Sequence, residues 1–158
     1  MLRSFKLENF FLSFFGTGFI PYAPGTFGTL ATMPLIVAIV KYNIPIYFLL
    51  PFYITTFIFS SFLISYVQKK QDLSDPSWIV IDEVLGVLVA TPFITTDAWW
   101  HYVLIFILFR FFDITKIPPI NIIDKQIKNG FGVIFDDIVA GIYTAISYKL
   151  IIFLLTKI

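Results

Sequence analysis

Acidic and basic side chains are rare in this chain, and they gather where they could do chemistry together. Between Arg110 and Asp137 lie Arg110, Asp113, Lys116, Asp124, Lys125, Lys128, Asp136 and Asp137, out of eleven Lys/Arg and ten Asp/Glu in the whole sequence. Asp82 and Glu83 form a second acidic pair inside an apolar run. Carboxylates crowded beside hydrocarbon repel one another and require a cation or protons between them. Oxygen ligands without Cys, and with a single His, select Mg²⁺, Mn²⁺ or Ca²⁺ over zinc. Arg110, Asp113 and Lys116 follow at steps of three, so a continuing helix would place two cations beside one carboxylate, an arrangement suited to a phosphate group; by itself the same spacing also describes a helix-end salt-bridge ladder.

Other chemistries are excluded or weakened. No Cys means no thiolate nucleophile. The lone His101 sits among aromatics and reads as an interfacial residue, so histidine-nucleophile chemistry is not expected. No Asp-x-Asp pair is present. What remains is metal-assisted attack by water, or a carboxylate nucleophile that spacing does not identify. A net charge of +1 with no basic stripe gives no nucleic-acid footprint.

The elements that must position these residues are apolar. The chain has 158 residues, is 58% hydrophobic and only 13% charged, against about 25% charged in soluble domains. It reads as one domain over 1–158, an all-α, multi-helical integral membrane protein with four to five hydrophobic helices and an N-terminal interfacial helix over Met1–Phe15, where Arg3 and Lys6 face headgroups. Gly16–Thr29 is a Gly/Pro/Thr loop whose Pro24-Gly25-Thr26 opens an apolar helix to about Val40, with backbone N–H groups able to hold an anion. Ile44–Tyr66 is the clearest span. Val67–Ser77 is a polar loop, with Asp75-Pro76 as a helix start. Trp78–Ile94, Trp99–Phe112 and Phe131–Leu155 are the remaining apolar runs. Basic residues place the N-terminus, the Lys69-Lys70 loop and 110–130 on the cytoplasmic side, with Lys41 and Lys157 as exceptions. All the clustered carboxylates then fall on that side. Asp82, Gly86 and Ala90 share the i, i+4, i+8 spacing of Asp137, Gly141 and Ala145, which predicts that these helices pack closely and bring Asp82 near Asp137.

Three blocks carry a resemblance. GTGFIPYAPGTFGT (16–29), WIVIDEVLG (78–86) and FRFFDITKIPPI with DKQIKNGFGVIFDDIVAG (109–141) resemble the phosphatidylglycerophosphatase A family, in its order and over most of the chain. Ile81 stands where a Trp is expected in many members. The resemblance points to Asp82, Glu83, Asp113, Lys116, Asp124, Asp136 and Asp137, and to Thr17, Gly18, Pro24, Gly25, Thr26 and Gly28 in the loop. It implies a Mg²⁺-dependent lipid phosphatase of bacterial inner membranes that converts phosphatidylglycerophosphate to phosphatidylglycerol and phosphate. On that expectation Asp82, Glu83, Asp136 and Asp137 hold one or two Mg²⁺, and Asp113 or Asp124 orients or deprotonates water, with Lys116 beside them. Arg110, Lys116, Lys125 and Lys128 neutralise the phosphate, which the backbone around Thr17, Gly18, Gly25 and Thr26 wraps. A transporter or proton relay using the same carboxylates is the alternative; an edge cluster fits it less well than polar groups at the midplane would.

Overall fold

In the computed structural model, which describes residues 6–72 and 76–157, seven α-helices account for the apolar runs. They are α1 (Leu7–Leu12), α2 (Pro24–Lys41), α3 (Ile46–Gln71), α4 (Ile81–Leu88), α5 (Trp99–Thr115), α6 (Ile120–Gln126) and α7 (Gly130–Leu155). Arg3 and Asp75 lie outside the described residues. Three helices, α2, α3 and α7, are long and apolar enough to cross a bilayer, with 18, 26 and 26 residues. Their outward faces are exposed Leu, Ile and Phe, such as Phe48, Phe62, Ile146 and Leu150. A bilayer solvates such faces, whereas water would not. The protein is a multi-helical membrane protein.

Helix α7 is the axis against which α3, α4, α5 and α6 pack, while α2 packs on α4 and α5. Ser65 Oγ of α3 accepts the Gly130 N–H at 2.9 Å, and Gln68 Nε2 donates to the Lys128 carbonyl at 3.1 Å. A side chain at Gly130 would strike the Ser61 carbonyl at 2.1 Å, so the start of α7 lies directly on α3. The two helices run antiparallel, and Phe57 meets Phe131 with ring centroids 5.4 Å apart. Helix α4 runs parallel to α7, and α5 returns antiparallel, its Phe112 ring against Tyr143.

Several boundaries differ from the sequence expectation. Helix α3 continues through Val67–Gln71, because this end packs on the α6–α7 connection instead of entering solvent. The second half of the Gly16–Thr29 stretch is helical, α2 beginning at Pro24 as the sequence predicts, after Ala23 turns the chain with φ 48°. Pro76 does not open a helix: α4 starts at Ile81. The Trp78–Ile94 run is not one long helix. After the eight residues of α4 the chain breaks at Val89-Ala90 into a 3₁₀ turn over Thr91–Phe93, where Pro92 brings no N–H to a continuing ladder. Tyr53 of α3 reaches across to donate to the Leu88 carbonyl at 2.7 Å, satisfying a group that the break frees. Helix α1 is short; Glu8 pairs with Lys70 at 3.1 Å and ties it to the end of α3.

Candidate active site

The carboxylates meet because two helices touch backbone to backbone. A Cβ on Gly141 would lie 2.1 Å from the Gly86 carbonyl, and one on Gly86 would lie 2.7 Å from the Asp137 carbonyl. Only glycine at both positions permits this approach. One turn before Gly86, and one before Gly141, stand Asp82 and Asp137. Carboxylate oxygens of Asp82, Glu83 and Asp137 all lie within 4.8 Å of one another. The predicted pairing of Asp82 with Asp137 is therefore present. At that separation two ionised carboxylates repel by roughly 3 kcal/mol at an effective dielectric of ~20. A buried Glu83 oxygen, Oε2, has no hydrogen-bond partner. Three hard oxygen donors, one of them unsatisfied, fit a divalent cation of the Mg²⁺ or Mn²⁺ kind.

Cations face this group across a cavity of about 280 Å³. Arg110, in the last turns of α5, donates through Nη1 to Asp113 Oδ2 and stands 4.0 Å from Glu83 Oε1. Its Nε is buried and unpaired. Lys116 Nζ is 2.8 Å from Asp124 of α6 and 2.8 Å from Asp136 of α7. Burial opposes the charge on Lys116, but the two carboxylates outweigh it and raise its pKa. Burial likewise opposes ionisation of Asp124, and the Lys116 ammonium outweighs it, holding Asp124 below its ordinary value. Asp124 is thus a counterion that locates Lys116.

Two helix N-termini also end at the cavity. Pro24 and Gly25 of α2 line it, and so do Asp82 and Glu83 in the first turn of α4. Their partial positive charge favours an anion there. Gly25 lies against the site itself: a Cβ would sit 1.9 Å from Glu83 Oε1 and 3.2 Å from Arg110 Nη1, so any larger residue would displace the Glu83 carboxylate.

The sequence-predicted residues divide clearly. Asp82, Glu83, Arg110, Asp113, Lys116, Asp124, Asp136, Asp137, Pro24 and Gly25 line one cavity. Asp136 does not join the three-carboxylate group. Its carboxylate turns to Lys116 instead, 2.8 Å away. Thr17, Gly18, Thr26, Lys125 and Lys128 are not in the lining. Thr17 Oγ1 donates to the Ser13 and Phe14 carbonyls, each at 3.0 Å. Gly18 lets its turn abut the backbone before α4, since a Cβ would meet the Trp78 carbonyl at 1.9 Å, and Gly28 packs on Val80 in the same way. Lys125 is exposed, and Lys128 reaches only the rim, 3.9 Å from Asp124. Ala23, Ser77, Ile79 and Val133 line the cavity without having been singled out; uncharged and common in any helix or loop, they carry no signal of their own.

His101 is buried between helices, 4% exposed. Its Nδ1 shares a 2.7 Å hydrogen bond with the Tyr148 hydroxyl, and its ring stacks on Trp100. This joins α5 to α7 at the end of the bundle away from the carboxylates. Changing His101 to Phe should leave turnover within about threefold of the parent while lowering stability by about 1–3 kcal/mol, the cost of taking one hydrogen-bond partner from the buried Tyr148 hydroxyl. Steady-state kinetics and thermal unfolding check both halves.

A helical membrane bundle with carboxylates and cations around one cavity suits a phosphomonoester and points to the class of membrane-embedded phosphomonoester hydrolases. Comparison narrows it. The profile of the Phosphatidylglycerophosphatase A family matches residues 10–152, and the chain belongs to that family. It is 36% identical to a Haemophilus influenzae protein named phosphatidylglycerophosphatase A, covering 84% of this chain and 80% of that one. It is 30% identical to the Escherichia coli protein of the same name, covering 83% and 75%. A Bacteroides thetaiotaomicron protein named as a candidate phosphatidylinositol-3-phosphatase is 37% identical over 84% of this chain and 85% of its own. No solved structure matches.

Proposed function

We propose that this protein hydrolyses phosphatidylglycerophosphate to phosphatidylglycerol and inorganic phosphate, with Mg²⁺ held by Asp82, Glu83 and Asp137, at the cytoplasmic face of a bacterial inner membrane. Family membership supports the substrate. The observation that carries the mechanism is the meeting of three carboxylates from α4 and α7 within 4.8 Å, beside Arg110 and Lys116. A bound Mg²⁺ supplies charge neutralisation and polarises a phosphate oxygen. The rest is the work of side chains. Arg110 and Lys116 take the phosphate charge as it spreads onto the equatorial oxygens. Lys116 exchanges part of its pairing with Asp136 and Asp124 for the substrate. Asp113, oriented by Arg110, holds the attacking water. The α2 and α4 N-termini add fixed positive potential. Acyl chains remain in the bilayer while the headgroup enters the cavity. Lys69, Lys70, Lys125 and Lys128 lie toward this end, which supports a cytoplasmic site.

Lys116→Met should lower kcat/KM by roughly a hundredfold, the usual loss for one charge-stabilising donor, with KM rising as well as kcat falling. The proposal itself is tested with purified protein in micelles of phosphatidylglycerophosphate. Phosphate release should require Mg²⁺ and stop with EDTA. Release that ignores EDTA would remove the metal from the mechanism, and release from phosphatidylinositol 3-phosphate alone would move the substrate to the other relative's class.

A further inference from the structure

An apolar groove runs along α7 behind the helix that carries Asp82 and Glu83, and one of its two sections is walled by α3. One section, about 360 Å³, lies over Val89, Phe93, Ile142 and Ile146 and is closed at one end by Lys149. The next, about 350 Å³, shares Val89 and Phe93 and continues past Leu85 to Ile138, with Tyr53 of α3 as its opposite wall. Its origin is the break in α4. Past Leu88 the chain leaves the helix, so no continuing turns fill the space beside α7. The Tyr53 bond to Leu88 fixes that wall.

Length and charge say what fits. From Ile138 to Lys149 the groove follows α7 for roughly 16 Å at 1.5 Å per residue, about half of a ~30 Å hydrocarbon core. That stretch has room for the acyl layer of one leaflet, and the apolar lining continues beyond Ile138 past Phe135 to Phe131. Lys149, exposed and the single charged residue of both linings, stands at the end of the groove away from the carboxylates. We propose that the groove binds one acyl chain of an anionic phospholipid from the leaflet opposite the carboxylate site, with the Lys149 ammonium on its phosphate. A second copy of the chain is a poorer occupant. A two-fold interface between equally oriented copies places both Lys149 ammonium groups at one depth beside the axis, where they repel. A chain seated in the groove braces Leu85 and Val89, the back of α4.

Native mass spectrometry of the full chain, released from micelles titrated with phosphatidylglycerol or phosphatidylcholine, tests this. One phosphatidylglycerol should be retained roughly fivefold more tightly than phosphatidylcholine, the ratio expected of one lysine near an anionic lipid. Lys149→Gln should bring the two lipids level. Ile142→Trp, which fills the groove, should weaken both. Asp137→Asn should change neither, which separates this groove from product held at the carboxylates. A preference that survives Lys149→Gln overturns the proposal. So does a preference lost in Asp137→Asn, or a lipid-free dimer that Ile142→Trp breaks.

Discussion

Asp137→Asn should reduce phosphate release by at least roughly a thousandfold, since it removes a ligand and a unit of charge from a site whose chemistry is mostly electrostatic. The substitution is nearly isosteric and is made in a buried position, 5% exposed, on a helix fixed at its start by Ser65 and Gln68. The fold should therefore persist. Thermal unfolding gives an independent sign. In metal-free protein, replacing one of three mutually repelling carboxylates should hold the melting temperature or raise it. In the parent, added Mg²⁺ should stabilise by mass action, and in the variant that increment should vanish. An Asn variant that turns over normally, or that still gains the full Mg²⁺ increment, would take Asp137 out of the site.

The second large effect comes from a residue that touches no substrate. Gly141→Ala adds a methyl carbon 2.1 Å from the Gly86 carbonyl. Alanine favours a helix by about 0.5–1 kcal/mol over glycine, but here the obstacle is backbone and no rotamer change relieves it. The helices must part by about an ångström, which carries Asp82 and Glu83 away from Asp137. Misplacement on that scale costs roughly a hundredfold in turnover. Overpacking adds about 1–3 kcal/mol of destabilisation. Leu150→Ala, on an exposed face of the same helix, should stay within about twofold. Comparable kinetics for Gly141→Ala and Leu150→Ala would mean that the α4–α7 contact does not set the site.

Much of this arrangement was readable before any coordinates. Hydropathy marks α2, α3 and α7, since a helix that faces lipid must be apolar on its outside whatever it packs against. The small-residue stripe headed by Asp82 and Asp137 predicts the contact that assembles the carboxylates, because only small side chains allow two helix backbones so close. The stripe is shorter than its spacing suggests: Ala90 is buried but falls beyond the end of α4. Side-chain partners were less legible. Asp136 and Asp137 are adjacent in sequence and equal in type, and their division between Lys116 and the three-carboxylate group depends on how α7 is rotated against α5 and α6. Helix α6 is only seven residues long, so the spacing of Ile120, Ile123 and Ile127 is too brief to mark it, and packing on α7 secures it. The loop glycines carry a strong motif, yet Gly18 and Gly28 serve contacts with Trp78 and Val80. Spacing alone does not distinguish a glycine that admits a ligand from one that admits a neighbouring backbone.

The account rests on a divalent ion among Asp82, Glu83 and Asp137. Anomalous diffraction from crystals equilibrated with Mn²⁺, at a concentration that supports turnover, tests it directly. A peak in contact with carboxylate oxygens of all three residues is the predicted result. A peak held elsewhere in the cavity, with these three carboxylates unligated, would contradict it.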